Sequence, residues 1–322
     1  MNIFIELPTW LGDTVMTTPA IENIVQKYPD AKITIFGSFV SIEALKNHPN
    51  VIHTIIDNSK KSNFRFVRLY KIAKSLGAFD FAFSFRRTLS SKIFLFFLNA
   101  ENKFSYQRYT KDQLHQVIRY NDFINRALNS NFKPSNLKLY YKPKQFLKPT
   151  LGINPGATYG SAKRWYPERF AKVAKELSSS FDIVIFGGSS EVNMAKDIEK
   201  LLKKEGVENF SNLSGKTTIP ELIEKIAGLS LFITGDSGPM HVAAAFEIPT
   251  VSLFGPTKYL ETSQWQNQHS TIIRHNLDCS PCMKRKCPIK THDCMKLIKT
   301  DEVIKEAKKC YNASQKNRAR KY

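Results

Sequence analysis

Short apolar runs rich in Ile, Val and Phe alternate with longer segments of helical periodicity along the first half of the chain. The runs predict strands over residues 3–7, 33–36, 51–56 and 79–85. The intervening segments predict helices over 14–27, 41–47 and 64–76. This alternation is typical of βαβ units built on a parallel sheet.

The pattern breaks once, in the proline- and lysine-rich segment 131–149, which we interpret as a linker. Strands are then predicted over 151–154, 181–186, 229–234 and 250–254, and helices over 166–179, 191–205 and 239–246. We therefore predict two Rossmann-like, doubly wound α/β domains, 1–148 and 149–322, facing a central cleft. The last helix could also pack back on the N-terminal domain.

Charge and hydropathy narrow the class of protein. The 322 residues carry 48 Lys and Arg against 28 Asp and Glu, a net charge of +20, of which the first 150 residues hold +12. Such a basic protein is expected to bind an anionic partner: a nucleic acid, a phosphorylated substrate or an acidic membrane surface. No apolar run approaches the ~18 residues of a membrane span, and the N-terminus does not resemble a signal peptide. We expect a cytoplasmic protein.

The first candidate site follows the first predicted strand. Gly12 would permit a tight turn, and Asp13 is predicted at the N-cap of the next helix. A carboxylate at this strand end could take a proton from a bound hydroxyl, although it could also only cap the helix. The Gly-x-Gly-x-x-Gly pattern of dinucleotide sites is missing here, which disfavours a Rossmann oxidoreductase.

A second candidate is the loop at the start of the second half, which combines glycines, hydroxyl side chains and cations suited to a pyrophosphate. These residues are Gly156, Gly160, Thr158, Ser161, Lys163 and Arg164. The alternative is a solvated basic loop in front of a helix.

The third candidate is the turn between residues 234 and 245. A strand is predicted to end at Gly235, with a small-residue helix beginning near Pro239, so that free amides at the helix start would favour a phosphate. The polar or flexible residues of this turn are Asp236, Ser237, Gly238 and His241. His241 taken alone could equally be a structural histidine.

Four of the five cysteines form the pattern C-x2-C-x4-C-x6-C: Cys279, Cys282, Cys287 and Cys294, with His292 nearby. This spacing allows a four-thiolate zinc site or a compact loop of reduced cysteines. Cys310 is predicted to be a buried helix residue.

Taken in order, three motifs resemble the ADP-heptose:lipopolysaccharide heptosyltransferases over nearly the whole chain. They are residues 10–13, residues 155–157 with 163–165, and residues 235–241. The cysteine segment, with Lys284 to Pro288, looks like the heptosyltransferase II branch, which adds the second inner-core heptose.

The resemblance implies a GT-B fold that binds the acceptor on the N-terminal domain and the donor, ADP-L-glycero-β-D-manno-heptose, on the C-terminal domain. It implies inversion at the anomeric carbon without an obligatory metal or other cofactor. Asp13 would be the general base. The implied donor-binding residues are Thr158, Lys163, Asp236, Ser237, Gly238 and His241.

The implied acceptor is the first heptose of a Kdo-lipid A-heptose core, met at the cytoplasmic face of the inner membrane by a peripherally bound enzyme. The basic N-terminal half suits its carboxylates and phosphates. Candidate acceptor-binding residues are Lys60, Lys61, Arg86 and Arg87. Heptosyltransferase I or III activity on another core acceptor stays open. A nucleic-acid-binding protein is a remote alternative, because the charge is spread over both halves and no nucleic-acid module is recognised.

Overall fold

The computed structural model describes residues 1–59, 64–156 and 159–319, with side chains described as far as residue 316. The chain divides into two compact α/β units, Met1–Tyr140 and Tyr141–Tyr322. In the described residues, no helix combines the length and apolarity needed to cross a membrane.

The first unit is a five-stranded parallel sheet with strand order β3-β2-β1-β4-β5. Its strands are β1 (Asn2–Glu6), β2 (Lys32–Gly37), β3 (Val51–Ile56), β4 (Phe79–Ser84) and β5 (Ala100–Ser105). Its helices are α1 (Leu11–Met16), α2 (Thr18–Lys27), α3 (Phe39–Leu45), α4 (Arg65–Ser75), α5 (Leu89–Phe97) and α6 (Gln116–Leu128). On one face, Phe4, Phe36 and Phe94 are fully buried, and the last two rings stack 4.7 Å apart.

The second unit is a six-stranded parallel sheet with strand order β11-β10-β9-β6-β7-β8. Its strands are β6 (Thr150–Asn154), β7 (Asp182–Ile185), β8 (Phe210–Asn212), β9 (Leu231–Gly235), β10 (Thr250–Leu253) and β11 (Ser270–Ile273). Its helices are α7 (Pro167–Leu177), α8 (Val192–Lys204), α9 (Ile219–Ala227), α10 (Gly238–Ala245), α11 (Tyr259–Thr262), α12 (Asp293–Lys296) and α13 (Thr300–Ala319).

Both sheets have the doubly wound strand order of Rossmann folds, in which the chain leaves the central strand first in one direction and then in the other. This confirms the predicted fold class. The C-terminal helix α13 packs against α7 and the strands β9, β10 and β11 of its own unit. Cys310 is buried in this helix, as predicted.

The structure adds three strands that the hydrophobic pattern did not reveal: β5, β8 and β11. β5 and β8 are the last strands at one edge of their sheets, and β11 is the last strand at the other edge of the second sheet. Edge strands cover less apolar surface, and β5 accordingly has the polar sequence AENKFS with residues 101–103 exposed. Short, polar edge strands carry little of the period-2 signal on which strand prediction depends.

The first part of the segment predicted as a linker belongs to the first unit, because it is bound to α2. Lys138 N–H donates to Thr18 Oγ1 at 3.0 Å, and the Tyr140 hydroxyl donates to Glu22 Oε1 at 2.8 Å. Partial burial by itself would raise the pKa of Glu22, but hydrogen bonds from His48, Tyr140 and Lys138 outweigh it and lower that pKa to about 2. An ionised Glu22 therefore holds this segment in place.

Candidate functional site

In the second unit, the loops that follow β6 and β9 start side by side at the point where the strand order reverses. Asn154, the last residue of β6, lies opposite Thr234 in the register of the sheet. The Asn154 side-chain amide donates to Thr234 Oγ1 and Ser237 Oγ at 3.3 Å each, and the two hydroxyls lie 3.0 Å apart. Side chains thus join the two loops at the place where Rossmann sheets bind their ligands.

Two of the predicted donor-binding residues pair with each other at this point. Lys163 Nζ lies 2.6 Å from Asp236 Oδ2 and also donates to the Asp236 carbonyl oxygen at 3.1 Å. Both side chains are largely buried, with 13% of Lys163 and 7% of Asp236 exposed. A short contact between partly desolvated charges fixes the ammonium group beside the β9 turn.

The β9 turn leads directly into α10, as the sequence predicts. The strand ends at Gly235, Ser237 is the N-cap residue, and Gly238 and Pro239 open the helix. The Ser237 side chain makes no capping bond to the helix backbone and instead contacts Thr234. His241 lies one turn into the helix and is only 3% exposed. Ser237 and Gly238 thus share the turn with Asp236, whereas Thr158 lies outside the described residues.

Glu191 is a carboxylate of this site that the sequence analysis missed. It lies just after β7, is 6% exposed, and accepts a hydrogen bond from Gly188 N–H at 2.7 Å. It also lies against the loop after β6, since a Cβ added to Gly156 would come within 2.0 Å of its Cδ. An acidic residue after the second strand of a Rossmann half was the available signal, because that is where such folds contact a ribose.

The cysteine segment supports the loop that carries Lys163. Ala162 N–H donates to the Arg285 carbonyl at 3.1 Å, and the Tyr159 hydroxyl donates to the Met283 carbonyl at 2.6 Å. His292 Nε2 lies 2.9 Å from the Ala162 carbonyl, while its other ring nitrogen contacts the hydroxyl of a tyrosine in front of α7. Residues 283–292 therefore hold the loop that carries Lys163 in place.

Cys279, Cys282, Cys287 and Cys294 line one small cavity, and all four are free thiols. Burial is the main cause that raises the pKa of Cys294 to about 11, and the charges of the other three clustered cysteines add to this effect. Throughout the part of the chain that the structure describes, no three His, Cys, Asp or Glu side chains are arranged to hold a metal ion. The fold thus brings to one cavity the four thiols that the spacing singles out.

Asp13 lies at the equivalent edge of the first sheet, after β1. The prediction that Asp13 is an N-cap residue is wrong, because α1 begins at Leu11, with Trp10 at its N-cap. Gly12 is likewise inside the helix rather than in a turn. Asp13 is half-buried in the first helical turn. Burial of Tyr120 raises the pKa of that tyrosine well above its ordinary value, and the charge of Asp13 raises it further.

Arg86 follows β4 at the same edge but is not an exposed basic residue. It is 8% exposed, and its Nη1 lies 3.3 Å from Glu6 and 3.2 Å from Asp57. Its Nε donates to the Leu7 carbonyl at 2.6 Å. The guanidinium group is thus occupied inside the first unit, a role that the sequence did not reveal because both carboxylates are distant along the chain. The neighbouring Arg87 is exposed.

Two of the predicted acceptor-binding residues, Arg86 and Arg87, are described by the structure, and of these two Arg87 is the one that faces solvent. Lys60 and Lys61 lie outside the described residues.

Comparison with known proteins gives the family. The model of glycosyltransferase family 9 (heptosyltransferase) matches residues 104–292. Lipooligosaccharide heptosyltransferase 2 of Campylobacter jejuni serotype O:2 is 43% identical, over 96% of this chain and 98% of that protein. The chain belongs to glycosyltransferase family 9. This confirms both the resemblance seen in the motifs and the prediction that the protein is a glycosyltransferase.

Solved structures agree on the fold of this family 9 glycosyltransferase. Escherichia coli ADP-heptose lipopolysaccharide heptosyltransferase II is similar with a TM-score of 0.80 and 22% identity, covering 98% of this chain and 100% of that one. A family 9 glycosyltransferase from Veillonella parvula has a TM-score of 0.82 and 21% identity, covering 97% of each chain. The predicted GT-B fold, with two Rossmann-like units, is confirmed.

Proposed function

We propose that this glycosyltransferase transfers L-glycero-D-manno-heptose from ADP-heptose to the first heptose of the lipopolysaccharide or lipooligosaccharide inner core. The observation that carries the proposal is the near full-length similarity, at 43% identity, to a protein named lipooligosaccharide heptosyltransferase 2. The geometry of both sheet edges is compatible with the chemistry that such a transfer needs.

The donor would bind in the second unit. ADP leaves with growing negative charge, and the Lys163 ammonium at the junction of the β6 and β9 loops would stabilise that charge. Asp236, Ser237, Gly238 and His241 would bind the sugar and phosphates from the β9 turn, and Thr158 would assist. The buried Glu191 carboxylate would accept hydrogen bonds from the ribose hydroxyls, as acidic residues after the second strand do in dinucleotide folds.

The reaction would be a single displacement that inverts the anomeric carbon. The acceptor hydroxyl oxygen forms a bond to that carbon while its proton passes to the Asp13 carboxylate. The bond between the anomeric carbon and the diphosphate oxygen breaks, and its electron pair leaves with ADP. Asp13 supports this role because it is a half-buried carboxylate in the first turn after β1, at a ligand-binding edge of a doubly wound sheet.

The acceptor would be a Kdo-lipid A-heptose glycolipid, reached by a cytoplasmic enzyme bound peripherally at the inner membrane. Its carboxylates and phosphates match the +12 charge of the first 150 residues. Arg87, exposed after β4, together with Lys60 and Lys61 would contact these groups. We do not expect a nucleic-acid partner.

Asp13→Asn tests the base in a transfer assay with ADP-heptose. Turnover should fall roughly a hundred- to ten-thousand-fold while calorimetric affinity for ADP-heptose stays unchanged. Asp122→Asn, another half-buried aspartate of the first unit, is the matched control and should retain activity. Near-normal turnover of the Asp13 variant would refute the assignment.

A panel of core acceptors tests the substrate. Transfer to an acceptor with one heptose is the expected result. Transfer to a heptose-free Kdo acceptor would instead assign the activity of heptosyltransferase I, and transfer only to a longer core that of heptosyltransferase III.

A further inference from the structure

Helix α4 exposes an aromatic surface beside a basic one. Its buried face is formed by Leu69 and Ala73. Phe66 and Tyr70, one turn apart, are 50% and 43% exposed, and Val67 is 51% exposed. Large apolar side chains that stay half exposed on adjoining turns of a helix need an explanation beyond folding, because the folded unit gains nothing from the part that remains in solvent.

Helix α5 repeats this arrangement. Phe94 and Leu95 are buried in the unit, whereas Leu89 is 67% and Phe96 is 74% exposed. Lys92 is also exposed and lies between them at helical spacing, so that the three side chains share one face.

The two exposed surfaces are continuous. The Tyr70 ring contacts Phe97 of α5 at a centroid distance of 4.9 Å, and Phe97 in turn contacts Phe96 at 5.1 Å. Arg65 Nη2 donates to Ser90 Oγ at 2.9 Å, which ties the start of α4 to the start of α5. We call this surface the α4–α5 face; its exposed members are Phe66, Val67, Arg68, Tyr70, Lys71, Lys74, Leu89, Lys92 and Phe96.

The charge of the α4–α5 face is of one sign. The sequence has no acidic residue between Asp57 and Asp80, and neither α4 nor α5 contains one. Exposed lysines and arginines thus flank the aromatic rings without internal neutralisation. Aromatic side chains combined with Lys and Arg on a helix surface suit the headgroup region of an anionic bilayer, where the rings enter the interface and the cations meet phosphates.

We propose that the α4–α5 face docks the enzyme on the surface of an anionic phospholipid bilayer. Phe66, Tyr70 and Phe96 lie at headgroup level, and Arg68, Lys71, Lys74 and Lys92 contact the lipid phosphates. The inference deepens the proposed function, since an acceptor anchored by lipid A is met at a membrane. It is tested by lipid binding alone, which requires no heptosyl transfer.

The experiment is co-sedimentation of the full chain with phosphatidylglycerol-containing vesicles and with phosphatidylcholine vesicles. The wild type should bind the anionic vesicles and lose binding as salt is raised, because exposed charges are screened within about 8–10 Å at physiological ionic strength. The triple variant Phe66→Ser, Tyr70→Ser, Phe96→Ser should bind at least about tenfold more weakly. Arg68→Ala, Lys71→Ala, Lys74→Ala should weaken binding by about fivefold for each cation removed.

Matched controls come from the second unit. Lys196, Lys200 and Lys204 are exposed on α8, so replacing these three with Ala removes the same charge from another surface. Leu260→Ser removes an exposed apolar side chain elsewhere. Both controls should bind vesicles as the wild type does, and thermal unfolding should show that every variant is folded.

Three results would overturn the proposal: no binding of the wild type to anionic vesicles, unchanged binding of both α4–α5 variants, or an equal loss in the controls. Transfer to a soluble acceptor without acyl chains separates the two proposals. If the wild type lacks this activity but binds vesicles through the α4–α5 face, the proposed function fails and the docking surface stands. If the aromatic variant loses this activity while its vesicle binding stays at the wild-type level, the face serves the acceptor rather than the bilayer, and the docking proposal fails.

Discussion

Replacing Arg86 with alanine should destabilise the first unit far more than replacing its neighbour Arg87. The Arg86 guanidinium group is 8% exposed and contacts Glu6, Asp57 and the Leu7 carbonyl. Removing it leaves two carboxylates that are 2% and 3% exposed without their cation. Breaking such a buried pair costs about 3–5 kcal/mol, and a buried carbonyl left without a donor adds up to about 1–3 kcal/mol.

Because these contributions share one side chain and are not additive, we expect a loss of about 4 kcal/mol in the free energy of unfolding. Arg87 is exposed, so its replacement by alanine should change this free energy by no more than about 0.5 kcal/mol. The two variants are matched controls, because both replace an arginine with alanine, one at a buried position and the other at an exposed one.

The pH dependence of the Arg86 variant gives a second measure. Burial raises the pKa of Glu6 despite the opposing Arg86 charge and the hydrogen bonds from Ser84 and Ser91. A carboxyl with a raised pKa stabilises the fold fully below its unfolded value and progressively less as pH rises through the folded value. Without Arg86 the pKa of Glu6 rises further, so the deficit should be larger at pH 7 than at about pH 4. Glu6→Gln should partly rescue Arg86→Ala at pH 7.

The assay is urea unfolding followed by circular dichroism, combined with hydrogen exchange of the peptides that contain β1 and β4. Loss of protection should be confined to the first unit. A free energy of unfolding for Arg86→Ala within about 1 kcal/mol of that for Arg87→Ala would refute the reasoning.

In the transfer assay, Arg87→Ala should raise the acceptor KM and flatten its salt dependence while donor binding stays intact; identical acceptor curves would remove Arg87 from the acceptor site.

Three further predictions concern the second sheet and the α2 contact. Lys163→Met should weaken the binding of ADP and ADP-heptose measured by calorimetry, since it removes the ammonium group and leaves the Asp236 carboxylate without its cation; unchanged affinities would mean that the lysine does not contact the donor. Gly156→Ala should weaken donor binding, because the added Cβ would lie 2.0 Å from Glu191 Cδ and displace that carboxylate; a donor KM equal to that of the wild type would show that Glu191 is not used. Glu22→Gln should lower the free energy of unfolding at neutral pH. Since the folded pKa of Glu22 is about 2, this stabilisation is present above about pH 4.5 and lost between there and about pH 2, so a deficit independent of pH would contradict it.

Local patterns in the sequence are sufficient to predict most of the central elements. Strands β1, β2, β6, β7, β9 and β10 are apolar because both faces of a parallel sheet are covered, and the helices between them follow the 3.6-residue period. The β9 turn and the start of α10 were also predictable, since glycine and proline mark a strand-to-helix junction by local backbone chemistry. Edge strands such as β5 were not predicted, because they bury too few apolar side chains to show the hydrophobic pattern of a strand.

Which charged side chains meet is decided only by the tertiary structure. Lys163 and Asp236 each suggested a phosphate site, but their pairing depends on the β6 and β9 loops being brought together across the sheet. Arg86 looked like an exposed cation because Glu6 ends β1 and Asp57 follows β3, both distant along the chain, and only the order of the strands places all three at one edge. Periodicity reports whether a side chain faces inward or outward within its own element. The partner that it meets there is set by contacts between distant segments, which no local pattern encodes.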